Sequence, residues 1–245
     1  MTPAELNAAV VAAVRGAVDE GEFAVPVPGR VPVTVTADGD YATPLPLRLA
    51  RDAGRPAKEI AELLADRLGR MPGVGDVRVT GPGFLSIGVS ASLIARIDET
   101  YGVVPVPVPR ATWPERPLTF DNPGFVVRFA YARAAAVRRQ AADLGVHAAE
   151  GPLTDPREKR LLALLAEFPS RAEQAARTGD PRPFTRQLEL IADAYHDVHE
   201  WCSPLPKGDE IITGHHSARL SLAEAAYIVL GNGLRMLGET PNDRL

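Results

Sequence analysis

The stretch that decides the fold of the second half of the chain is NPGFVVRFAYAR, residues 122–133. Asn122 is a favourable helix N-cap, and Pro123 suits the first helical position. Residues 125–143 contain neither glycine nor proline. The pattern therefore predicts a helix that begins at this cap and continues to about Leu144.

Further helix signals follow toward the C-terminus. Asp155 and Glu158 have the spacing of a capping box, with a proline between them, and an apolar stripe follows. Apolar residues at helical spacing predict two more helices, over about 183–201 and 215–237. Together these signals predict an all-α bundle of four to five helices over residues 119–245.

The first part of the chain mixes helices and strands. Thr2, Pro3 and Glu5 predict the start of a helix that reaches about Asp19. The other predicted elements are a strand over Val31–Thr36, a turn over Ala37–Asp40, a helix that follows Tyr41–Thr43 with Thr43 as its cap, a helix over 56–70, and strands over 75–80 and 84–89. This order predicts an α+β domain over residues 1–101, with a small antiparallel sheet covered by helices.

Residues 102–118 have a different character. Five prolines fall there: Pro105, Pro107, Pro109, Pro114 and Pro117. Proline-rich segments favour extended backbone, which at ~3.1 Å per residue would reach roughly 50 Å. We therefore predict a semi-extended linker between the two domains.

Composition narrows the possible functions. Lys+Arg 27 against Asp+Glu 31 gives a formal net charge of -4, which argues against a general polyanion binder but allows an RNA binder whose arginines share one face. One cysteine, Cys202, excludes an internal disulfide. The absence of a signal peptide pattern and of an apolar run of about 20 residues predicts a cytoplasmic protein without membrane contact.

Motifs for catalysis and cofactors are scarce. The chain has no P-loop, no G-x-S-x-G and no dinucleotide-binding glycine pattern, so we expect no cofactor. His196, His199 and Cys202 are spaced by three residues, and such ligands suit zinc. The spacing matches no established zinc module, and we interpret these residues as ordinary polar and core positions, with no metal.

Residues 125–139 interleave aromatic and basic side chains. The set comprises Phe125, Arg128, Phe129, Arg133, Arg138 and Arg139. These side chains could stack unpaired bases and hold phosphates. They could instead form a core helix with a basic outer face. The pattern alone favours this second interpretation.

The same stretch resembles a known family. NPGFVVRFAYAR is similar to the NPVYYVQYAHAR stretch that opens the DALR anticodon-binding domain of arginyl-tRNA synthetases. Near the C-terminus, ARLSL (218–222), VLGNGL (229–234) and LG (237–238) resemble the family's ARLAL, VLxNGL and LLG. The resemblance implies a helical anticodon-binding domain over residues 119–245.

The N-terminal part resembles the same family independently. GDYAT (39–43) and GPGF (81–84) are similar to the GDYATNLAL and GPGFIN signatures of the synthetase's N-terminal additional domain, which touches the D-loop of tRNA. In the family, a catalytic domain with HIGH and KMSKS motifs lies between the two domains, where this chain has the proline-rich segment. The resemblance therefore implies a protein without catalytic activity.

The resemblance also implies tRNA contacts at particular positions. The anticodon-facing positions are Val126, Arg128, Phe129, Tyr131, Arg133, Arg139, Trp201 and Leu245, and the D-loop positions are Phe84 and Ser86. Five of them depart from the family pattern. Val126 replaces an aromatic residue, Arg128 a glutamine, Tyr131 a histidine, Ser86 an amide and Leu245 a methionine.

Two functions follow as hypotheses. In the first, the protein docks a tRNA, with an arginine tRNA favoured, through the anticodon loop and D-loop, either for a partner enzyme or as a regulator. In the second, a synthetase relative that no longer binds tRNA serves as a protein–protein adaptor or dimerisation module, with residues 125–139 as its contact face. The oligomeric state stays open.

Overall fold

The computed structural model describes residues 1–36 and 40–245, and these form two units, Met1–Ser90 and Ala91–Leu245. The predicted fold class is confirmed. The described part of the first unit combines a four-stranded antiparallel sheet with helices, and the second unit is helical. Within the described residues, no helix is both long enough and apolar enough to cross a bilayer.

The first unit begins with a long helix and continues into the sheet. Its elements are α1 (Pro3–Asp19), β1 (Thr34–Val35), β2 (Tyr41–Thr43), α2 (Leu45–Ala53), α3 (Ala57–Gly69), β3 (Val74–Thr80) and β4 (Phe84–Val89). The strand order is β1-β2-β4-β3, with every neighbouring pair antiparallel. α1 begins at the predicted capping box, in which Thr2 and Glu5 each accept a hydrogen bond from the other's backbone nitrogen.

The segment Tyr41–Thr43 differs from its prediction, since it forms strand β2 rather than only a lead into a helix. Its residue Ala42 lies opposite Ser86 of β4, and the flanking side chains of Tyr41 and Thr43 are buried. The N-cap of α2 is Pro44 rather than Thr43. The strand predicted over Val31–Thr36 is limited to β1, and residues 37–39 of the predicted turn lie outside the described residues.

The second unit, described throughout, contains four long helices. They are α4 (Pro123–Asp143), α5 (Pro156–Thr178), α6 (Arg182–Trp201) and α7 (Gly214–Leu237), preceded by a short 3-10 helix at Ala91–Arg96. α4 packs against α6 and α7, and α5 packs against α6. The bounds agree with the sequence-based ones because caps define them, such as the Asp155 and Glu158 capping box of α5.

The proline-rich segment belongs to the helical unit, so the structure differs from the predicted boundaries at residues 101 and 119. Val108 is buried, and the indole nitrogen of Trp113 donates a hydrogen bond to Glu189 at 2.9 Å. The Asn122 side chain donates to the carbonyls of Pro114 and Pro117. Apolar side chains between the prolines thus find a surface to pack on, which proline content alone does not reveal.

Candidate nucleic-acid interface

Phe125, Phe129 and Arg133 form a stack along one face of α4. They are spaced by four residues, which places their side chains one above the other on a helix. The rings of Phe125 and Phe129 are nearly parallel, with centroids 5.3 Å apart and an interplanar angle of 12°. The guanidinium carbon of Arg133 lies 4.5 Å from the Phe129 centroid, a cation–π contact. Phe129 is therefore covered on both of its faces.

Phe120 lies beside this stack. Its ring centroid is 5.9 Å from that of Phe125 and 5.9 Å from that of Phe129, with interplanar angles of 88° and 80°. A further contact, at 5.2 Å, joins Phe120 to the ring of His196 from α6. We call Phe120, Phe125, Phe129 and His196 the aromatic cluster. Phe120 is its most accessible phenylalanine, with 59% of the residue exposed.

His196 holds Arg133 in place. The Arg133 Nη1 atom lies 3.1 Å from His196 Nδ1, and His196 Nε2 lies 3.1 Å from the carbonyl oxygen of Val126. Because a guanidinium only donates, Nδ1 accepts, and Nε2 carries the proton donated to Val126; the tautomer is assigned from this network. Burial lowers the pKa of His196, which favours the same neutral ring.

Arg133 is also free of acidic neighbours. Among the described residues, no carboxylate lies within ion-pair distance of it, whereas Arg128 is paired with Glu239. A half-buried cation held by a neutral histidine keeps its positive charge available to an external anion. This combination of an exposed aromatic ring and an unneutralised guanidinium suits unpaired bases and phosphates.

His199, one turn further along α6, gives a testable pH dependence. Burial, with the charges of Arg133 and His196, lowers the pKa of His199 to about 4. Its folded pKa thus lies below the unfolded value of about 6.5, so its stabilising contribution is present above pH 6.5 and lost as pH falls toward 4. We expect this loss to be about 1–2 kcal/mol, since the side chain is only half-buried.

The measurement is thermal unfolding between pH 7 and 4.5 for wild type and His199→Gln. The variant should lose less stability on acidification than wild type. His147→Gln serves as a control because His147 is exposed on the loop after α4. Equal pH slopes for all three proteins would show that His199 contributes nothing to the acid response.

Arg128 and Tyr131, both predicted to face the anticodon, have other partners. The Nε and Nη2 atoms of Arg128 donate to the two carboxylate oxygens of Glu239 at 2.8 and 2.7 Å, and this pairing raises the pKa of Arg128. Tyr131 is buried, and its hydroxyl donates to the Tyr227 hydroxyl at 2.9 Å. The side chain of Arg128 therefore contacts the C-terminal segment, and that of Tyr131 contacts α7.

The other predicted anticodon positions are dispersed. Val126 is buried, and its carbonyl lies 3.1 Å from His196 Nε2. Arg139 is exposed and donates to the Asp243 carbonyl at 3.5 Å. Trp201 is exposed at the end of α6, where the guanidinium carbon of Arg157 lies 5.4 Å from its ring. Leu245 is exposed.

The two predicted D-loop positions differ from each other. Phe84 is exposed at the start of β4, whereas Ser86 is buried in the sheet. The Ser86 hydroxyl donates to the Asp40 carboxylate at 3.0 Å, and Arg78 pairs with the same carboxylate. Phe84 is therefore the accessible one of the two. It follows Gly83, whose φ of 137° and close approach to Ala57 leave no room for a side chain.

Sequence reasoning missed Phe120 and His196 as members of the site. Phe120 lies two residues before the Asn122 cap, outside the position of the hydrophobic staple, so no local signal marks it. His196 was weighed as a metal ligand and interpreted as an ordinary polar or core position. Its contacts with Phe120, Phe129 and Arg133 depend on how α6 packs against α4. The third member of that pattern, Cys202, is buried, which raises the pKa of its thiol to about 11.

The fold and this surface define a class of protein, an α+β domain joined to a helical domain with an aromatic and basic face. Residues 4–89 match the arginyl tRNA synthetase N terminal domain family, and residues 127–245 match the DALR anticodon binding domain family. The chain therefore combines an arginyl-tRNA synthetase N-terminal domain with a DALR anticodon-binding domain. Residues 90–126 lie between the two matches, and no catalytic-domain family matches the chain.

Individual relatives are similar over half of the chain. The arginine–tRNA ligase of Clavibacter sepedonicus is 42% identical over 130 residues, and that of Frankia alni is 41% identical over 132 residues; each match covers 52% of this chain and 24% of the relative. The chain thus spans about a quarter of the length of these curated relatives. The structure of the Thermus thermophilus arginyl-tRNA synthetase matches with 23% identity and a TM-score of 0.43, over 52% of this chain and 22% of that one.

Proposed function

We propose that this protein binds tRNA without catalysing a reaction, that an arginine tRNA is its preferred ligand, and that it acts in the cytoplasm. The α4 surface would take up unpaired anticodon bases. The exposed Phe84 of the first unit would contact the D-loop. The protein would present the tRNA to a partner enzyme or withhold it as a regulator.

The observation that carries the proposal is the Arg133 guanidinium, positioned by His196 at 3.1 Å and stacked on Phe129 beside the exposed Phe120. Sequence-specific RNA recognition targets single-stranded loops, whose bases stack on aromatic rings and guanidinium planes. Phe129, Arg133 and His196 also lie within residues 127–245, which match an anticodon binding domain family, whereas Phe120 lies ahead of that match. An acidic chain can bind RNA in this way because only the local charge has to be positive.

The other parts of the proposal have separate support. The preference for an arginine tRNA is supported by the relatives, which are named arginine–tRNA ligases. The absence of catalysis is supported by family matches confined to the two flanking domains. Use of both domains would raise affinity, since linked binding modules gain from effective concentration.

A titration of wild-type protein with arginine tRNA and with an unrelated tRNA tests the proposal. We expect the arginine tRNA to bind more tightly. We also expect affinity for both RNAs to fall between 50 and 200 mM salt, with a log–log slope of about −0.7 to −0.9 per phosphate contacted. Absent or equal binding of the two tRNAs would refute the proposed ligand.

One observation favours a second candidate, a protein–protein adaptor. Trp201, Ile211 and Ile212 are exposed large apolar residues at the end of α6 and in the loop before α7. Exposed apolar side chains of this kind are common where proteins associate. Concentration-dependent self-association that is insensitive to salt, measured by sedimentation, would support this candidate and not tRNA binding.

A further inference from the structure

Phe129 has no face left for a base, although the resemblance assigns it to the anticodon. One face lies against Phe125, with ring centroids 5.3 Å apart, and the other lies beneath the Arg133 guanidinium carbon at 4.5 Å. Base stacking needs an uncovered aromatic face. Phe129 is therefore placed to support its neighbours.

Phe120 has the open surface that Phe129 lacks. Its contacts with Phe125, Phe129 and His196 are all close to perpendicular, at 88°, 80° and 71°. Three rings thus contact it, and 59% of the residue still stays exposed. An aromatic ring that is held by its neighbours and remains exposed suits a stacking platform.

The backbone next to Phe120 is held firmly. Asn122 is buried, and its side chain caps α4 by accepting from the Gly124 nitrogen at 3.0 Å. The same side chain donates to the carbonyls of Pro114 and Pro117 at 2.9 and 3.0 Å. A platform ordered before binding loses less conformational entropy when a ligand arrives.

Arg133 provides the charge beside the platform. It contacts Phe129 and His196, the two residues that Phe120 also contacts. Its guanidinium can therefore reach the phosphate or the base edge of a nucleotide whose base lies on Phe120. An exposed phenyl ring next to an unneutralised cation suits an unpaired nucleotide better than an apolar protein surface.

We propose that Phe120 is the residue on which an unpaired RNA base stacks, and that Phe129 is a positioning residue that holds Phe120 and Arg133. This inference rests on the proposed tRNA binding. It assigns the base contact to a residue between the proline-rich segment and α4, ahead of the helix that the family resemblance identifies.

The test is a fluorescence-anisotropy titration of a labelled RNA hairpin that carries the arginine anticodon loop. We expect Phe120→Ala and Phe120→Leu to weaken binding about tenfold to a hundredfold, because both remove the aromatic face. Phe120→Trp should bind at least as well as wild type. Its indole emission should also be quenched by RNA more than the two native tryptophans are in wild type, which reports stacking directly.

Val103→Ala is the matched control, since Val103 is an exposed apolar residue of the proline-rich segment. It should bind as wild type does, and thermal unfolding should show that all variants fold. If wild type binds the hairpin and Phe120→Ala binds equally well, Phe120 is not the platform and only this inference fails. If wild type binds neither the hairpin nor tRNA, the proposed tRNA-binding function itself is refuted.

Discussion

Replacing Arg219 by methionine is expected to lower the free energy of unfolding of the second unit by about 3–5 kcal/mol. The Nε atom of Arg219 donates to the Glu158 carboxylate at 2.6 Å, and Glu158 is fully buried. The remaining contact shown for that carboxylate is the Asp155 backbone nitrogen at 3.0 Å. Methionine would fill the space but leave a buried negative charge without its cation.

Tryptophan fluorescence in a denaturant titration measures this effect in the right unit, because both tryptophans, Trp113 and Trp201, lie in the second unit. The double variant Arg219→Met/Glu158→Gln should recover much of the loss, since it removes both charges. Arg182→Met is the matched control: its partner is Asp180, and the Arg182 side chain is 86% exposed. That control should change the free energy of unfolding far less, because water screens an exposed ion pair. An equal cost for Arg182→Met and Arg219→Met would contradict the argument.

Replacing Arg133 by glutamate is expected to weaken tRNA binding about a hundredfold. The change removes the cation that we propose faces the ligand, and it places a negative charge where phosphates would lie. It also removes the donor that His196 Nδ1 accepts from. A lost phosphate contact should reduce the log–log salt slope by about 1, so the variant should be both weaker and less sensitive to salt.

Arg177→Glu is the control for this charge reversal. Arg177 is exposed in the last turn of α5, and the substitution changes the net charge by the same amount. Both variants should be compared with wild type by anisotropy at two salt concentrations, with thermal unfolding as a check on folding. Similar losses for the two variants would mean that overall charge, rather than the α4 surface, governs binding.

Arg128 and Arg133 illustrate why site residues are harder to predict than helices. Both lie on α4, and the sequence offers no reason to treat one as structural. Glu239 neutralises Arg128, whereas His196 holds Arg133 without neutralising it. Those partners lie far along the chain from α4. The predicted site residues can therefore be separated into accessible and paired ones only when α6, α7 and the C-terminal segment are in place.

The positions of the helices and the two domain families can be read from the amino-acid sequence. Helix starts such as Thr2 with Glu5, Asn122, and Asp155 with Glu158 depend on hydrogen bonds within four residues, so the local sequence contains them completely.

Three features emerge only in the folded chain: Tyr41–Thr43 forms a strand, the proline-rich segment packs within the helical unit, and Phe120 is exposed beside Phe129. Each of these depends on contact between elements distant in sequence. Burial, ion pairing and ring packing are settled by such contacts, which a local pattern does not specify.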